Sequence, residues 1–184
     1  MLARAEDSVL VVVDVQPTFL DPVWEKSRVL ERSKFLIECA NLLEVPIIAT
    51  EQYPDRMGRT DPKLLAALDN RQSTIAKMSF SCWGEREFVR ALERHKRAQV
   101  VMVGIETHIC VTQSAHDLMD EDIDVIVCAD AVSARSEMMH DTGLRRMADE
   151  GAAIAHTESV VYEWMQTAEH PAFKEVLKLV KSYS

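Results

Sequence analysis

The chain has 184 residues, of which 47% are hydrophobic, and 21 basic against 30 acidic residues give it a formal charge of −9. This length allows one well-packed domain, over residues 1–184, and is short for two. The negative charge argues against nucleic acid as a partner, because polyanion binding requires a basic surface.

The sequence pattern does not indicate a membrane-associated or secreted protein. No apolar run approaches the roughly 20 residues that a membrane helix needs, and residues 1–7 lack a signal-peptide pattern. We therefore predict a cytoplasmic protein without a membrane partner. The cysteines, Cys39, Cys82, Cys110 and Cys128, lack Cys-x-x-Cys spacing, which argues against a zinc site and a disulfide framework.

The first half of the chain alternates predicted strands and helices. Residues 8–14 form a continuous β-branched run, which is typical of a parallel strand buried on both faces. Apolar residues at three- and four-residue spacings predict an amphipathic helix over about 26–43. A second strand is predicted over 46–51, a loop over 52–60, a short helix over 61–68 capped by Asp61, and a third strand over 73–77.

The alternation continues in the second half. Predicted elements are a helix with Phe88, Val89, Ala91 and Leu92 on its buried face, a strand over 99–103, a helix over 108–119, a strand over 124–128, a polar stretch over 129–137, a helix over 140–150, a strand over 151–156 and two final helices. Such alternation implies right-handed parallel crossovers. The predicted fold class is α/β, a three-layer α/β/α sandwich around a six-stranded, mainly parallel sheet.

Three reactive side chains, Asp14, Lys77 and Cys110, fall at the carboxyl ends of predicted strands, where such sheets bind ligands. At a strand-to-helix junction Cys110 gains from the helix dipole, which lowers a thiol pKa, and would act as nucleophile. Asp14 would take and return its proton, and Lys77 would stabilise both anions. Backbone N–H groups of Glu106 and Cys110 would hold the negative oxygen of an intermediate.

Each residue also has a structural interpretation. A lone cysteine in an α/β core is usually packing, an aspartate after a strand is often a helix cap, and a lysine there is often solvated. Their joint placement favours catalysis. His108 allows a Cys–His dyad with Cys110, but neighbouring residues at a helix start point in different directions, so Asp14 is the better base.

Three motifs make the chain resemble a known family: Val11-Val-Val-Asp-Val-Gln16, Lys77-Met-Ser-Phe-Ser81 and Gly104-Ile-Glu-Thr-His-Ile-Cys110. In order and spacing they are similar to the isochorismatase-like cysteine hydrolases, which include nicotinamidases and N-carbamoylsarcosine amidases. The resemblance implies an Asp14–Lys77–Cys110 triad, a cis peptide between Ile105 and Glu106 that turns amides toward the oxyanion, and a homo-oligomer.

Two further stretches, Ser133-Ala-Arg135 and His170-Pro-Ala-Phe-Lys-Glu175, look most like the isochorismatase domain-containing branch, whose natural substrates are poorly defined. Isochorismatase itself cleaves a vinyl ether without needing the cysteine, so a cysteine at position 110 favours amidase-type chemistry. The resemblance also makes Gln16 and Thr107 supports of the site. The predicted substrate pocket comprises Gln16, Phe19, Tyr53, Phe80, Trp83 and Thr107.

Metal binding is not expected. Nicotinamidases of this family hold a metal with an aspartate and two histidines after the second strand, whereas residues 51–58 contain no histidine. Asp55 alone is a poor transition-metal site, because such ions also take imidazole or thiolate ligands. We predict no metal and no other cofactor, and nicotinamide becomes a weaker candidate substrate.

The sequence thus predicts a hydrolase that cleaves an amide-like carbon–nitrogen bond of a small molecule through a thioester. One alternative is a catalytically silent, oligomeric binding module on the same fold. Another is a flavodoxin-like or dinucleotide-binding domain, but no Gly-x-Gly-x-x-Gly follows the first strand.

Overall fold

A computed structural model describes residues 1–68 and 74–183. Its sheet has six strands, and every neighbouring pair is parallel: β1 (Ser8–Val13), β2 (Ile47–Gln52), β3 (Thr74–Lys77), β4 (Gln99–Ile105), β5 (Asp124–Ser133) and β6 (Ala153–Ala155). The strand order is β3-β2-β1-β4-β5-β6. The chain therefore reverses its direction of sheet growth between β1 and β4, which is where an open α/β sheet forms a binding crevice.

The helices cover both faces of this sheet. They are α1 (Pro17–Leu20), α2 (Lys26–Leu42), α3 (Pro54–Met57), α4 (Pro62–Ala67), α5 (Arg86–His95), α6 (Thr112–Asp120), α7 (Glu137–Asp149), α8 (Thr157–Met165) and α9 (Phe173–Ser182). A 3₁₀ turn spans Cys82–Gly84, and a π-helical turn, Thr107–Val111, joins β4 to α6. The predicted three-layer α/β sandwich is confirmed. Within the described ranges, no helix is long and apolar enough to cross a membrane.

Successive residues of β1 supply two separate cores. Leu10 packs in a hydrophobic cluster with Phe35 of α2, and the next residue, Val11, packs in a second cluster with Phe88 of α5. Side chains of a strand alternate between faces, so a strand with helices on both sides must be apolar throughout. Burying each such side chain contributes about 1.5–3 kcal/mol, which explains the unbroken β-branched run.

The strand β5 is longer than predicted. The stretch 129–137 was expected to leave the sheet because it is polar and rich in small residues, yet β5 continues to Ser133. Its pairing with β4 shifts register between Met102 and Gly104 and then resumes, with Gly104 opposite Val132. An irregularity of this kind interrupts the apolar pattern without ending the strand, which is why the pattern alone ended it too early.

Two predicted connections contain single helical turns, α1 and α3, that the sequence pattern did not indicate. The cap of α4 is as predicted, since the Asp61 carboxylate accepts the Lys63 N–H at 2.8 Å. The predicted third strand began at Ser73, which lies outside the described residues, and the observed strand ends at Lys77 as expected.

Gly104 allows β1 and β4 to approach each other at the edge that carries the site. It pairs with Val13 and has a φ of +117°, a conformation that side chains disfavour. A Cβ atom at this position would lie 2.1 Å from the Val13 carbonyl oxygen. Only glycine fits here, so β1 and β4 stay paired as far as Val13 and Gly104, directly before Asp14.

Candidate active site

A buried ion pair lies at the carboxyl edge of the sheet. Asp14 directly follows β1, with a left-handed φ of +51°, and Lys77 is the last residue of β3. The Lys77 ammonium lies 2.7 Å from Asp14 Oδ2, and the two side chains are 0% and 2% exposed. Burial at this level removes both charges from water, so each depends on the other and on nearby hydrogen bonds.

Thr50 of β2 orients Asp14 through two hydrogen bonds. Its hydroxyl donates to Asp14 Oδ1 at 2.8 Å, and its carbonyl accepts the Asp14 N–H at 3.2 Å. Sequence reasoning missed this residue. The sequence feature that could have indicated it is a hydroxyl side chain in the otherwise apolar run Ile47–Thr50, near the carboxyl end of the strand.

The lysine is held by three oxygen acceptors besides the aspartate. Its ammonium donates to Gln52 Oε1, to the Ser79 carbonyl at 3.1 Å and to the Phe80 carbonyl at 2.9 Å. Lys77 is therefore fixed as a cation in one geometry, and the turn after β3 is fixed with it.

Gln16 holds the segment that supplies one of those acceptors. Its side chain accepts the Gln52 N–H at 2.7 Å and donates to the Gln52 carbonyl at 3.0 Å and the Gly58 carbonyl at 2.6 Å. Gln16 is fully buried. It thus supports the wall formed by residues 52–58, as the resemblance implied, and does not itself line the cavity described below.

Cys110 lies in the π-helical turn that follows β4, and it is 8% exposed. Its thiol lies close enough to the Asp14 carboxylate for each group to affect the pKa of the other. The peptide bond between Ile105 and Glu106 is cis, and the Glu106 carbonyl accepts the N–H groups of Ile109 at 3.0 Å and Val111 at 3.3 Å. π-Helical turns recur at functional sites, and this one sets the cysteine against the ion pair.

The resting cysteine is a thiol. Burial raises the pKa of Cys110 to about 12, with the Asp14 carboxylate acting in the same direction and the Lys77 ammonium opposing it. The expectation of a lowered pKa at a helix start is wrong for this arrangement, because burial and an adjacent carboxylate outweigh the helix dipole. A reaction at this sulfur would therefore need a partner that takes the thiol proton.

Asp14 is suited to receive that proton. Burial raises the pKa of Asp14, while Lys77, Thr50 and Cys110 act to lower it. For Lys77, burial lowers the pKa, but the Asp14 carboxylate and nearby thiols more than reverse this, and the net pKa is raised. The lysine therefore remains charged, and the Asp14 carboxylate accepts a proton more readily than an exposed aspartate would.

A cavity of about 330 Å³ opens onto the cysteine and the aspartate. It is lined by Asp14, Phe19, Gln52, Tyr53, Met57, Phe80, Ile105, Glu106, Ile109 and Cys110. The lining includes three predicted pocket residues, Phe19, Tyr53 and Phe80. The walls Met57 and Ile109 were missed, because apolar residues in loops and helix starts do not distinguish a pocket from a core.

The remaining predicted pocket residues lie elsewhere. Trp83 packs against the hydrophobic cluster that contains Phe88. The buried Thr107 hydroxyl lies 3.1 Å from His140 Nδ1, and its carbonyl accepts the Thr112 hydroxyl at 2.6 Å. Both have structural contacts, and Trp83, Thr107 and Gln16 are not among the residues that line this cavity.

Neither a histidine dyad nor a metal cluster is seen at the site. His108 Nδ1 lies 4.0 Å from Glu106 Oε2, and His108 is absent from the cavity lining. Over residues 1–68 and 74–183, no group of three or more His, Cys, Asp or Glu side chains is placed to hold a metal ion.

The parallel sheet, its crevice and the helices on both faces define a three-layer α/β/α protein. Residues 8–159 match the isochorismatase domain, and the chain belongs to the isochorismatase family. Its fold is that of the isochorismatase-family hydrolases.

Relatives that are 34% identical to this chain include the following two. Isochorismatase family protein 1B of Dictyostelium discoideum aligns over 96% of this chain and 87% of its own length. The secreted isochorismatase effector Isc1 of Phytophthora sojae aligns over 96% and 85%.

Solved structures that share the fold include the following two. One is described as the MAR1 ribonuclease of Caenorhabditis elegans, with 32% identity, a TM-score of 0.93 and coverage of 98% of this chain and 93% of that one. The YcaC protein of Escherichia coli, described as an octameric hydrolase of unknown specificity, has 23% identity, a TM-score of 0.87 and coverage of 100% and 96%.

Proposed function

We propose that this protein hydrolyses an amide-like carbon–nitrogen bond of a small molecule, with Cys110 as nucleophile, Asp14 as proton carrier and Lys77 as the fixed cation. One observation carries the proposal: Asp14, which forms a buried ion pair with Lys77 at 2.7 Å, lines the same cavity as Cys110. A buried ion pair is weak evidence for stability alone, which favours a catalytic reason for its presence.

The first half-reaction forms a thioester. Cys110 Sγ attacks the carbonyl carbon of the bound amide, and the thiol proton passes to the Asp14 carboxylate. The carbonyl oxygen gains the negative charge and faces the backbone N–H groups of Glu106 and Cys110. When the tetrahedral intermediate collapses, the carbon–nitrogen bond breaks, and Asp14 returns the proton to the departing amine.

The second half-reaction restores the enzyme. A water molecule attacks the thioester carbonyl while Asp14 takes one of its protons. The carbon–sulfur bond breaks, the carboxylic acid product leaves, and the proton returns to Cys110 Sγ. Lys77 keeps its charge throughout and stabilises whichever neighbour is anionic, because its three acceptors hold the ammonium in place.

Small-molecule chemistry is favoured over RNA cleavage, although the nematode neighbour is described as a ribonuclease. The chain carries a net charge of −9, whereas phosphate backbones are bound by basic surfaces. The cavity, at about 330 Å³, is at the lower end of the roughly 300–1,000 Å³ usual for small-ligand sites. It suits a molecule of few atoms.

We further propose that residues 1–184 act as one hydrolase domain, in the cytoplasm and as a homo-oligomer. The octameric E. coli structure supports the oligomer. The alternative of a silent binding module on the same fold predicts a ligand without turnover.

A screen of small amides, carbamoyl compounds, nicotinamide and a single-stranded RNA tests the proposal, with mass spectrometry of the intact protein to detect an acyl adduct. We expect ammonia or amine release from an amide and an adduct on Cys110. RNA cleavage that survives Cys110→Ala would overturn the proposal, and so would stable binding of amides with neither adduct nor product.

A further inference from the structure

We infer that the cavity admits small, apolar, uncharged molecules, and that the Glu106 side chain makes it reject anions. As a statement about substrates, this inference rests on the proposed function. As a statement about what reaches Cys110, it is testable whether or not the protein turns over an amide.

The cavity wall is mainly apolar. Its hydrophobic members are Phe19, Tyr53, Met57, Phe80, Ile105 and Ile109. They come from different segments, α1, the stretch 53–57, the turn after β3, the end of β4 and the π-helical turn, so apolar side chains from five segments face the cavity. A charged group placed against such a wall loses its hydration without gaining a partner, which is costly.

The ionisable groups on the wall are mostly acidic. Asp14 and Glu106 are carboxylic acids, Cys110 is a thiol, and the described lining residues include no lysine or arginine. Lys77 does not compensate a ligand anion, because its ammonium is already shared among Asp14 and three oxygen acceptors. A carboxylate entering the cavity would therefore meet like charge without a free cation.

Glu106 is the charge nearest to solvent. Its side chain is 16% exposed, and Oε2 lies 3.0 Å from Nε of Arg135, which is 52% exposed and absent from the cavity lining. Arg135 partly neutralises the carboxylate from outside, where water screens the pair. His108 Nδ1 lies 4.0 Å from the same oxygen. Because Glu106 also lines the cavity, its carboxylate adds negative charge at the wall, and Glu106 becomes a specificity-determining residue there.

Paired alkylating reagents test the inference on the intact protein. 2-Chloro-N-phenylacetamide is neutral, and 4-(chloroacetamido)benzoate is its carboxylate analogue. With either reagent Cys110 Sγ displaces chloride, and the thiol proton passes to Asp14. Rates at Cys110 are measured by peptide mass spectrometry and divided by each reagent's rate with N-acetylcysteine, which removes intrinsic reactivity.

After that correction, we expect the neutral reagent to be favoured by about tenfold or more, since like charge at short range opposes the anion. Glu106→Gln should reduce this preference, and Arg135→Gln should increase it by leaving Glu106 unneutralised. Equal corrected rates, a preference for the carboxylate reagent, or failure of the neutral reagent to modify Cys110 would each overturn the inference. An unchanged preference in Glu106→Gln would remove the role of that side chain.

Turnover is measured separately with benzamide and 4-carboxybenzamide. Hydrolysis of benzamide but not of its carboxylate analogue agrees with both proposals. Hydrolysis of the carboxylate analogue in preference would refute the charge inference while keeping the hydrolase. A neutral preference in alkylation, with no amide hydrolysed in the wider screen, would keep the inference and refute the hydrolase.

Discussion

Lys77 Nζ and Asp14 Oδ2 are 2.7 Å apart although their strands, β3 and β1, are not neighbours in the sheet. The lysine side chain extends past the end of β2, where Thr50 and Gln52 contribute one hydrogen bond each to the pair. Three consecutive strand ends therefore hold one buried pair of charges, and its properties can be measured residue by residue.

Removing one member of this pair should destabilise the fold strongly. In Lys77→Met the Asp14 carboxylate is left buried without its cation, and in Asp14→Asn the ammonium loses its anion. We expect each change to lower the free energy of unfolding by about 3–5 kcal/mol, as for other broken buried pairs. The double variant should lose less than the sum of the two. Urea denaturation gives all values, and additive losses would contradict the coupling.

Thr50→Val should shift the pH dependence of turnover. The Thr50 hydroxyl lowers the pKa of Asp14, so its removal raises that pKa. Since the proton carrier must begin as a carboxylate, the acidic limb of the kcat/KM profile should move to higher pH. Thr60→Val is the matched control, because the buried Thr60 hydroxyl donates to a different carboxylate, Glu51, at 2.9 Å. An equal shift in both variants would mean that the effect is not specific to Asp14.

The thiol pKa should respond to its two charged neighbours in opposite directions. Burial raises the pKa of Cys110 to about 12, Asp14 adds to this, and Lys77 opposes it. Asp14→Asn should therefore lower the thiol pKa, and Lys77→Met should raise it. The rate of alkylation at Cys110 against pH, followed by peptide mass spectrometry, reports each value. Cys39, whose pKa is also about 12 through burial and Glu38, serves as the internal control and should not change.

Gly104→Ala should be far more damaging than Gly151→Ala. Both glycines have similar φ values, +117° and +113°, so both alanines meet the left-handed backbone penalty of about 1–2 kcal/mol. Only at Gly104 would the new Cβ atom collide with backbone, 2.1 Å from the Val13 carbonyl oxygen, whereas nothing lies within 4 Å at Gly151. Overpacking of this kind adds about 1–3 kcal/mol or more. Thermal denaturation compares them, and similar losses would show that the β1–β4 approach is not limiting.

The strands and their layers were predictable because hydrophobic periodicity reports burial directly. A continuous β-branched run such as 8–14 has few alternatives to a strand covered on both faces. The extension of β5 was not predictable, because Asp130 breaks the apolar pattern while its carboxylate is used to bind the Thr157 N–H and hydroxyl on α8. Local pattern does not show that a polar residue has a distant partner.

Some features of the site were predictable from the sequence, and others were not. Asp14, Lys77 and Cys110 could be singled out because strand ends of a parallel sheet share one edge. The pKa of Cys110 was mispredicted because a helix start is visible in sequence, whereas burial and the distance to a carboxylate are not. Thr50 and Gln52 were missed for a related reason: a polar side chain near a strand end is consistent with solvent as well as with a buried ion pair.

The three side-chain hydrogen bonds of Gln16 connect the shape of the cavity wall to the position of the Lys77 ammonium. Through them one buried amide holds residues 52–58, which contribute Tyr53 and Met57 to the cavity, and also Gln52, which binds the Lys77 ammonium. A change that reshapes this wall therefore also disturbs the cation. The Phe19 and Ile109 side chains line the cavity from other segments, α1 and the π-helical turn. We expect these two side chains to be the ones through which descendants of this scaffold acquire new substrates at the smallest loss of rate.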